Sequence, residues 1–526
     1  MDFKNSRVPT LYTDLARTLG GEIDTSYHAL EKNSRDFSSC KILPHIITYP
    51  KTVEDIKKII ACADEYKIPV AVKGNGNNAS GASLVEGIVI DMTKYFNRIK
   101  HVDMLGNIIN VDPGVSCKKI REHLSGWNLE IPFLTEQNDN DTIGGVVATK
   151  NVSPSSFEHG GINSWVIGLS IVLSNGEQHI IEDGITPSGK LLSIYQSLFP
   201  LLSTETHIIR GGKPTCSEDN SGFNIWGQSI GPRQLINNII GSQGTLAIIT
   251  SIKLRTIPRP LFKKTIRIRI PEYQNLPDCI LACKVNGVDN LFMYDVLLEN
   301  LSSTFGGQDK EIYSSSTPHV LTLVATQSGN DEKALHEKQL RLVKELNLPS
   351  ESITCMRGDN YLHNFTEPSH VKKLLESYSG QTVIPCITGD GIIVPIENLP
   401  ETLLAIEKYH NENHLIFNTT GNVGSGHISV ITFIPNDINT FADKVINATE
   451  ACFSIAKKYK GSGSAGSGDG LIGTAFLPLF YSPKIIEIFS KVKNIWDPNN
   501  ILNTNKKIGV DVSYIKQRIL PPDASC

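Results

Sequence analysis

Residues 71–91, AVKGNGNNASGASLVEGIVID, set a loop dense in glycine and asparagine between two apolar segments. A chain with this pattern must turn tightly out of one buried strand and into the next, with its backbone left bare at the turn. Glycine tolerates positive φ and has no Cβ, so successive N–H groups can converge on one anion such as a diphosphate. The same composition also makes plain turns. What adds weight is the order of later segments: Val111-Asp112-Pro113-Gly114, then Thr142-Ile143-Gly144-Gly145, then Gly241 to Thr250, which reads GSQGTLAIIT.

At 526 residues the chain exceeds what one core usually supports, and two or three domains are expected. A net charge of -4 and the lack of a long Lys/Arg block argue against a nucleic-acid partner. No apolar run reaches the roughly 20 residues that a membrane span needs. The first nineteen residues lack the apolar core of a secretory signal, so a cytoplasmic address is expected, with peripheral membrane contact left open. The cysteines are scattered without a C-x-x-C pair. Cys279 and Cys283, at helical spacing, read as buried thiols rather than zinc or cluster ligands.

Periodicity outlines the elements. Thr52 and Asp55 predict a capped helix whose buried face is Ile56, Ile59, Ile60 and Ala63, ending near Tyr66-Lys67. Segments 68–72, 88–90, 107–111, 166–173 and 246–254 read as strands, as do 320–325 and 392–395. Segments 401–410 and 438–458 read as helices, and 461–470 as a short flexible loop. Ile257-Pro258-Arg259-Pro260 interrupts regular structure. The expected division is an N-terminal helical extension (1–40), a first domain (41–260), a second (261–508) and a tail (509–526). The expected fold class is α+β.

The ordered glycine segments resemble the FAD-binding domain of the vanillyl-alcohol oxidase/p-cresol methylhydroxylase (PCMH) superfamily. Within it, the likeness is to the D-lactate, glycolate and D-2-hydroxyglutarate dehydrogenase branch. PHIITYPKTVEDIKKII is similar to that family's opening, GSQGTLAIIT to its "GSEGTLGIIT", and IWDPNNILNTNKKI to its closing "FDPxxILNPGK". The resemblance runs from about residue 20 to 508. It implies a two-subdomain PCMH-type FAD-binding domain followed by an α+β FAD-linked oxidase C-terminal domain that carries the substrate.

By that resemblance, the "RGGGTS" loop of relatives corresponds to Lys73, Gly74, Asn75, Gly76, Asn77 and Asn78, with Gly81 closing the turn. Pro113 and Gly114, then Thr142, Gly144, Gly145 and Thr149, correspond to the next flavin segments, and Ile248 and Ile249 to backbone packed on the cofactor. Asn77 is expected to donate through its side-chain amide. Relatives have Asn where this chain has Lys150, which would add positive charge, and commonly Ser near Gln137. No His or Cys lies in 74–81, so FAD is expected to be held non-covalently.

The second half departs from the branch. Relatives hold a divalent metal with two His and one Glu, in "GHxGDGNxH" and "SGEHGDG". A metal there lowers the pKa of the substrate hydroxyl. Here the first signature reads GNVGSGHIS and the second SAGSGDG, so the ligand positions are Asn422, Ser429 and Gly466, while the glycine frame remains. Asn and Ser oxygens are poor transition-metal ligands, and no metal is expected. His427 shares a strand face with position 429 and is either a metal-free base or a hydrogen-bonded structural histidine. Asp390 falls near a family "IDD" or "TDG" element, where a turn-forming role is expected. Arg357, His370, Lys372 and Lys373 occupy the stretch where relatives bind the substrate carboxylate, although solvated helix-surface residues would look the same.

The resulting expectation is an FAD-dependent oxidoreductase that transfers hydride from a 2-hydroxy acid or similar alcohol to flavin N5. Its partners are a small-molecule substrate and an electron acceptor: a quinone, a cytochrome, an electron-transfer flavoprotein or O2. The alternatives are a non-catalytic FAD-binding module and a flavin oxidase of an unrelated alcohol or sugar.

Overall fold

Thr52 and Asp55 do cap a helix. Thr52 Oγ1 accepts from the Asp55 N–H at 3.2 Å and Asp55 Oδ2 accepts from the Thr52 N–H at 3.1 Å. The helix, Val53–Tyr66, buries Ile56, Ile59, Ile60 and Ala63 and ends on Lys67 in the left-handed region. In this computed structural model, which describes residues 8–216, 218–226, 231–297, 319–356 and 383–521, the helix leads into the first of three main sheets.

That sheet has four strands in the order Glu22–Asp24, Ile46–Tyr49, Ile88–Asp91, Val70–Lys73. Ile88–Asp91 runs parallel to both of its neighbours. The chain must therefore leave Val70–Lys73 and come back beside it in the same direction, and the Gly/Asn loop spans the end of the sheet where it does so. The N-terminal segment, expected to be helical, contributes Val8–Thr18, Tyr27–Lys32 and the antiparallel edge strand Glu22–Asp24.

The second sheet is antiparallel, with strands Ile99–Asp103, Ile108–Val111, Ile248–Arg255, Val166–Val172 and Gln178–Glu182 in that order. Its core also takes in Leu477, Tyr481, Ile485, Ile488, Phe489, Val492 and Trp496, so late-sequence helices pack on the first half of the chain. The closing segment likewise returns to the first sheet: the Val70 N–H donates to Ile501 O and the Asn503 N–H to Val70 O.

The third sheet has seven strands, all antiparallel: Ile353–Cys355, Phe262–Ile270, Leu321–Gly329, Asn290–Asp295, Ile416–Gly421, His427–Pro435 and Val383–Ile393. Helices Leu276–Val285, Leu399–Glu412 and Phe441–Lys458 pack on it, and Cys279 and Cys283 are buried there as expected. The strand expected at 392–395 begins earlier, at Val383, and ends at Ile393, before Pro395. The stretch 461–470 is not a loose loop: Ser462, Ser464, Ala465 and Asp469 are buried, and Ile393 and Ser462 form a bridge. Among the described residues no helix is long and apolar enough to cross a membrane.

Candidate functional site

The Gly/Asn loop, the Thr142–Thr149 segment and the 243–249 segment meet around one cleft, with Ser467 of the second half on its wall. The cleft holds about 940 Å³ of space outside the protein atoms, part of it open to solvent. Lys73, Gly74, Asn75, Gly76, Asn77 and Asn78 all line it, as do Pro113, Thr142, Gly144, Gly145, Thr149 and Ile249.

Gly81, Gly114 and Ile248 are not on the wall, for three separate reasons. Gly81 turns with φ +79° against Leu471. Gly114 lets two chain segments touch, since a Cβ there would stand 2.1 Å from Met92 O. Ile248 obeys strand alternation: Ala247 and Ile249 face the cleft, so Ile248 points the other way, into the core with Val172, Ile501 and Leu502.

The loop's backbone has the character of an anion cradle. Among the described residues, the N–H groups of Asn75, Gly76, Asn77 and Asn78 donate to no protein atom. Bare amides need water or a ligand. Opposite them, Thr142 caps the helix Ile143–Thr149, whose first turn carries Gly144 and Gly145. The Asn77 side chain is committed elsewhere: its amide donates to Asn140 O at 2.6 Å and Asp141 Oδ1 at 3.2 Å. Asp141 is the cleft's carboxyl group; burial pushes it up to about 6, against the hydrogen bonds from Asn77 and Asn138. Lys73 is buried, reaches Arg35 O at 3.2 Å, and has its pKa lowered by burial. Lys150 turns away from the cleft toward Asp219 O. Gln137 is off the wall as well.

Among the wall residues not expected from the sequence are Gln243, Ala247 and Ser467, which lie inside quoted motifs; Gln243 and Ser467 meet across the two halves. Gln243 Nε2 donates to Ser467 O at 2.8 Å, and its Oε1 accepts from the Gly470 N–H at 2.9 Å. Asn78 Nδ2 also donates to Ser467 O, and Ser467 Oγ accepts from the Ala79 N–H. The second signature, Ser464–Gly470, is thus fastened over the cleft from the side of the first half. Behind it, buried Lys507 pairs with Asp469 at 2.9 Å.

The positions where relatives carry metal ligands are brought together, but not as ligands. Asn422 Nδ2 donates to Val152 O, and Ser429 Oγ donates to Asp390 Oδ1 at 3.2 Å. Among the described residues, no three His, Cys, Asp or Glu side chains group to hold a metal ion. A Cβ at Gly466 would stand 2.7 Å from Asp390 Oδ1, so a side chain there would have to displace the Asp390 carboxylate. This donor set does not fit the metal. His427 is buried and absent from the cleft wall. Its Nδ1 accepts the Asn422 N–H at 3.3 Å, its Nε2 has no partner among the described residues, and burial lowers its pKa to about 4. Arg357, His370, Lys372 and Lys373 lie outside the described residues.

Fold and cleft together define a two-part α+β protein with a cleft lined by bare backbone amides and bordered by Ser467 of the second half. Comparison with known proteins agrees. Residues 44–182 match the family described as FAD binding domain, and residues 297–506 match FAD linked oxidases, C-terminal domain. A D-lactate dehydrogenase of Anaerostipes hadrus is 25% identical over 89% of this chain and 90% of its own length. The mitochondrial cytochrome-type D-lactate dehydrogenase of Arabidopsis thaliana is 21% identical over 96% and 81%. A D-2-hydroxyglutarate dehydrogenase of Pantoea ananatis is 21% identical over 94% of this chain, which spans only 51% of that relative. Among solved structures, p-cresol methylhydroxylase superposes with a TM-score of 0.67 at 14% identity, covering 97% of each chain. Alkyldihydroxyacetonephosphate synthase gives 0.66 at 15%, covering 95% of this chain and 85% of the other.

The chain belongs to the PCMH-type FAD-binding, FAD-linked oxidase superfamily and is related to its D-lactate/D-2-hydroxyglutarate dehydrogenase branch. Its cofactor is FAD, and among the described residues no His, Cys or Tyr on the cleft wall offers a covalent link.

Proposed function

We propose that this protein oxidises a small CH–OH substrate, a D-2-hydroxy acid or a similar alcohol, with FAD as hydride acceptor and without the metal of its relatives. The observation that carries the reading is the joining of the second signature segment, Ser464–Gly470, to the flavin cleft, where Ser467 O accepts from Asn78 and Gln243. In this reading Lys73, Gly74, Asn75, Gly76 and Asn78 hold the diphosphate by their backbone, with Thr142, Gly144 and Gly145 on the facing helix. Bound FAD supplies the two-electron acceptor. Residues 41–260 serve as the FAD-binding unit and 261–508 as the substrate-bearing unit, a division supported by the two family matches falling within them.

Purified protein is expected to be yellow and to release all of its colour on acid precipitation. It should contain no stoichiometric zinc, iron or manganese by elemental analysis. Anaerobic addition of D-lactate, glycolate or D-2-hydroxyglutarate tests the reaction. Bleaching of the flavin by one of them supports a catalyst; a flavin that none of them bleaches would leave an FAD-binding module. Re-oxidation by O2, a quinone analogue or a cytochrome, tried in turn, identifies the acceptor class.

A further inference from the structure

Strand Val383–Ile393 carries two residues more than its neighbour can pair, one between Ile387 and Gly389 and one between Gly389 and Ile392. Gly389 pairs with Val430 and Ile392 with Ile428, so Asp390 and Gly391 together stand opposite the single residue Ser429. A bulge of this kind turns a side chain out of the regular ladder, and bulges gather beside active sites. Here it is locked from behind by backbone. Gly391 has φ +80°, and a Cβ on it would stand 2.1 Å from the Gly466 nitrogen.

The bulge delivers the Asp390 carboxylate into the space among positions 429, 466 and 467. Ser429 Oγ donates to Oδ1 at 3.2 Å and the Ser467 N–H donates to Oδ2 at 2.9 Å. Ser467 belongs to the wall of the flavin cleft, so the carboxylate sits one hydrogen bond behind that wall. Asp390 keeps partial exposure. A carboxylate has roughly four lone-pair positions, so two hydrogen bonds leave it able to take a proton. His427, in the first signature, is off the cleft wall as Asp390 is, but it is buried and its Nδ1 accepts the Asn422 N–H.

We propose that Asp390 is the base of the reaction, taking the proton that relatives release with the help of a metal. The inference rests on the CH–OH oxidation proposed above. The substrate O–H bond breaks, and its proton passes to the Asp390 carboxylate. The C–H bond breaks, and its hydrogen leaves with both electrons for flavin N5. A C=O bond forms, and the Asp390 carboxylic acid then returns its proton to water. FAD held in the cleft would supply the two-electron acceptor for that hydride, and the external acceptor identified by re-oxidation would take the electrons on.

The experiment uses the FAD-loaded full chain as wild type, Asp390→Asn, Asp390→Ala and His427→Gln. Rapid anaerobic mixing with D-lactate, glycolate and D-2-hydroxyglutarate gives the rate of flavin reduction, and a spectroelectrochemical titration without substrate gives the midpoint potential. Bound FAD and the thermal midpoint check folding. Both Asp390 variants are expected to reduce the flavin on the order of 10² to 10⁴-fold more slowly. Both should also have a more positive potential, because removing a negative charge near the ring favours the reduced, more anionic flavin. Two folded Asp390 variants with wild-type rate and potential would overturn the proposal. So would a rate that collapses in His427→Gln and survives in both Asp390 variants. If no hydroxy acid reduces the wild type, the oxidation reading fails and the proton step with it. A shifted potential would then still place the carboxylate beside the flavin, and an unshifted one would remove that placement too.

Discussion

His427 shows how much burial decides about a residue. Its sequence neighbourhood offers it as a base, yet the imidazole is buried beside the Asn422 turn, with Nε2 unpartnered among the described residues. Burial lowers its pKa to about 4, and the nearby Asp390 charge opposes that only in part. The unfolded chain therefore takes up this proton first, near pH 6.5. The stability associated with the neutral ring is whole above pH 6.5 and is lost as pH falls from there through 4. We expect His427→Gln to lose less thermal stability than wild type between pH 7 and pH 5. Carboxylates shared by both proteins titrate alike and cancel in the comparison. Parallel curves would show that the ring is protonated in the fold.

At the scale of elements, the cradle depends on a loop and a helix start fitting against each other. A Cβ on Gly74 would stand 2.2 Å from Thr142 Oγ1, the atom that accepts the Gly145 N–H and caps the helix Ile143–Thr149. Gly74→Ala must push the cap aside or tilt the loop. Either change spreads the unpaired amides of Asn75 to Asn78. Affinity for FAD is expected to drop at least about tenfold, equivalent to about 1.4 kcal/mol, while the rest of the protein stays folded. Titration of apoprotein with FAD, followed by quenching of flavin fluorescence, measures it. Unchanged affinity would mean that the loop's diphosphate role is misread.

For the whole molecule, the long-range ties are buried ionic and polar groups brought from far apart in sequence. Lys507 is fully buried, pairs with Asp469 at 2.9 Å and donates to Asn220 O at 2.7 Å. Asp469 in turn accepts the Gly222 N–H. One cation thus joins the closing segment, the second signature and the chain that follows the first domain's helices. Lys507→Met leaves a buried carboxylate without its cation, a change that typically costs about 3–5 kcal/mol. The thermal midpoint should fall sharply, and the double variant Lys507→Met/Asp469→Asn should recover part of the loss. A double variant no better than the single would show that packing, not charge, carries the effect.

Much of this molecule is local and so can be read from the chain alone. The Thr52/Asp55 cap, the amphipathic helix behind it and the strands around 88–90, 107–111 and 166–173 follow from propensity and period, which need only neighbours in sequence. The glycine loop and its backbone cradle were legible for the same reason, since few other residues allow such a turn. The replacement of the His and Glu residue types at 422, 429 and 466 was legible, because residue type is read directly from the chain. The place of Asp390 among them was not. Asp390 reads as a turn residue until pairing register shows the bulge, and register is set by strands forty residues apart. Gln243 and Ser467 meet across 224 residues of chain. Ile248 and Ile249 differ only in which side of a strand faces the cleft, and Lys507 finds Asp469 only when the closing segment packs back on the first sheet. Sequence specified the local elements and the glycine loop. Long-range packing, through register, strand facing and chain return, decided which side chains line the cleft.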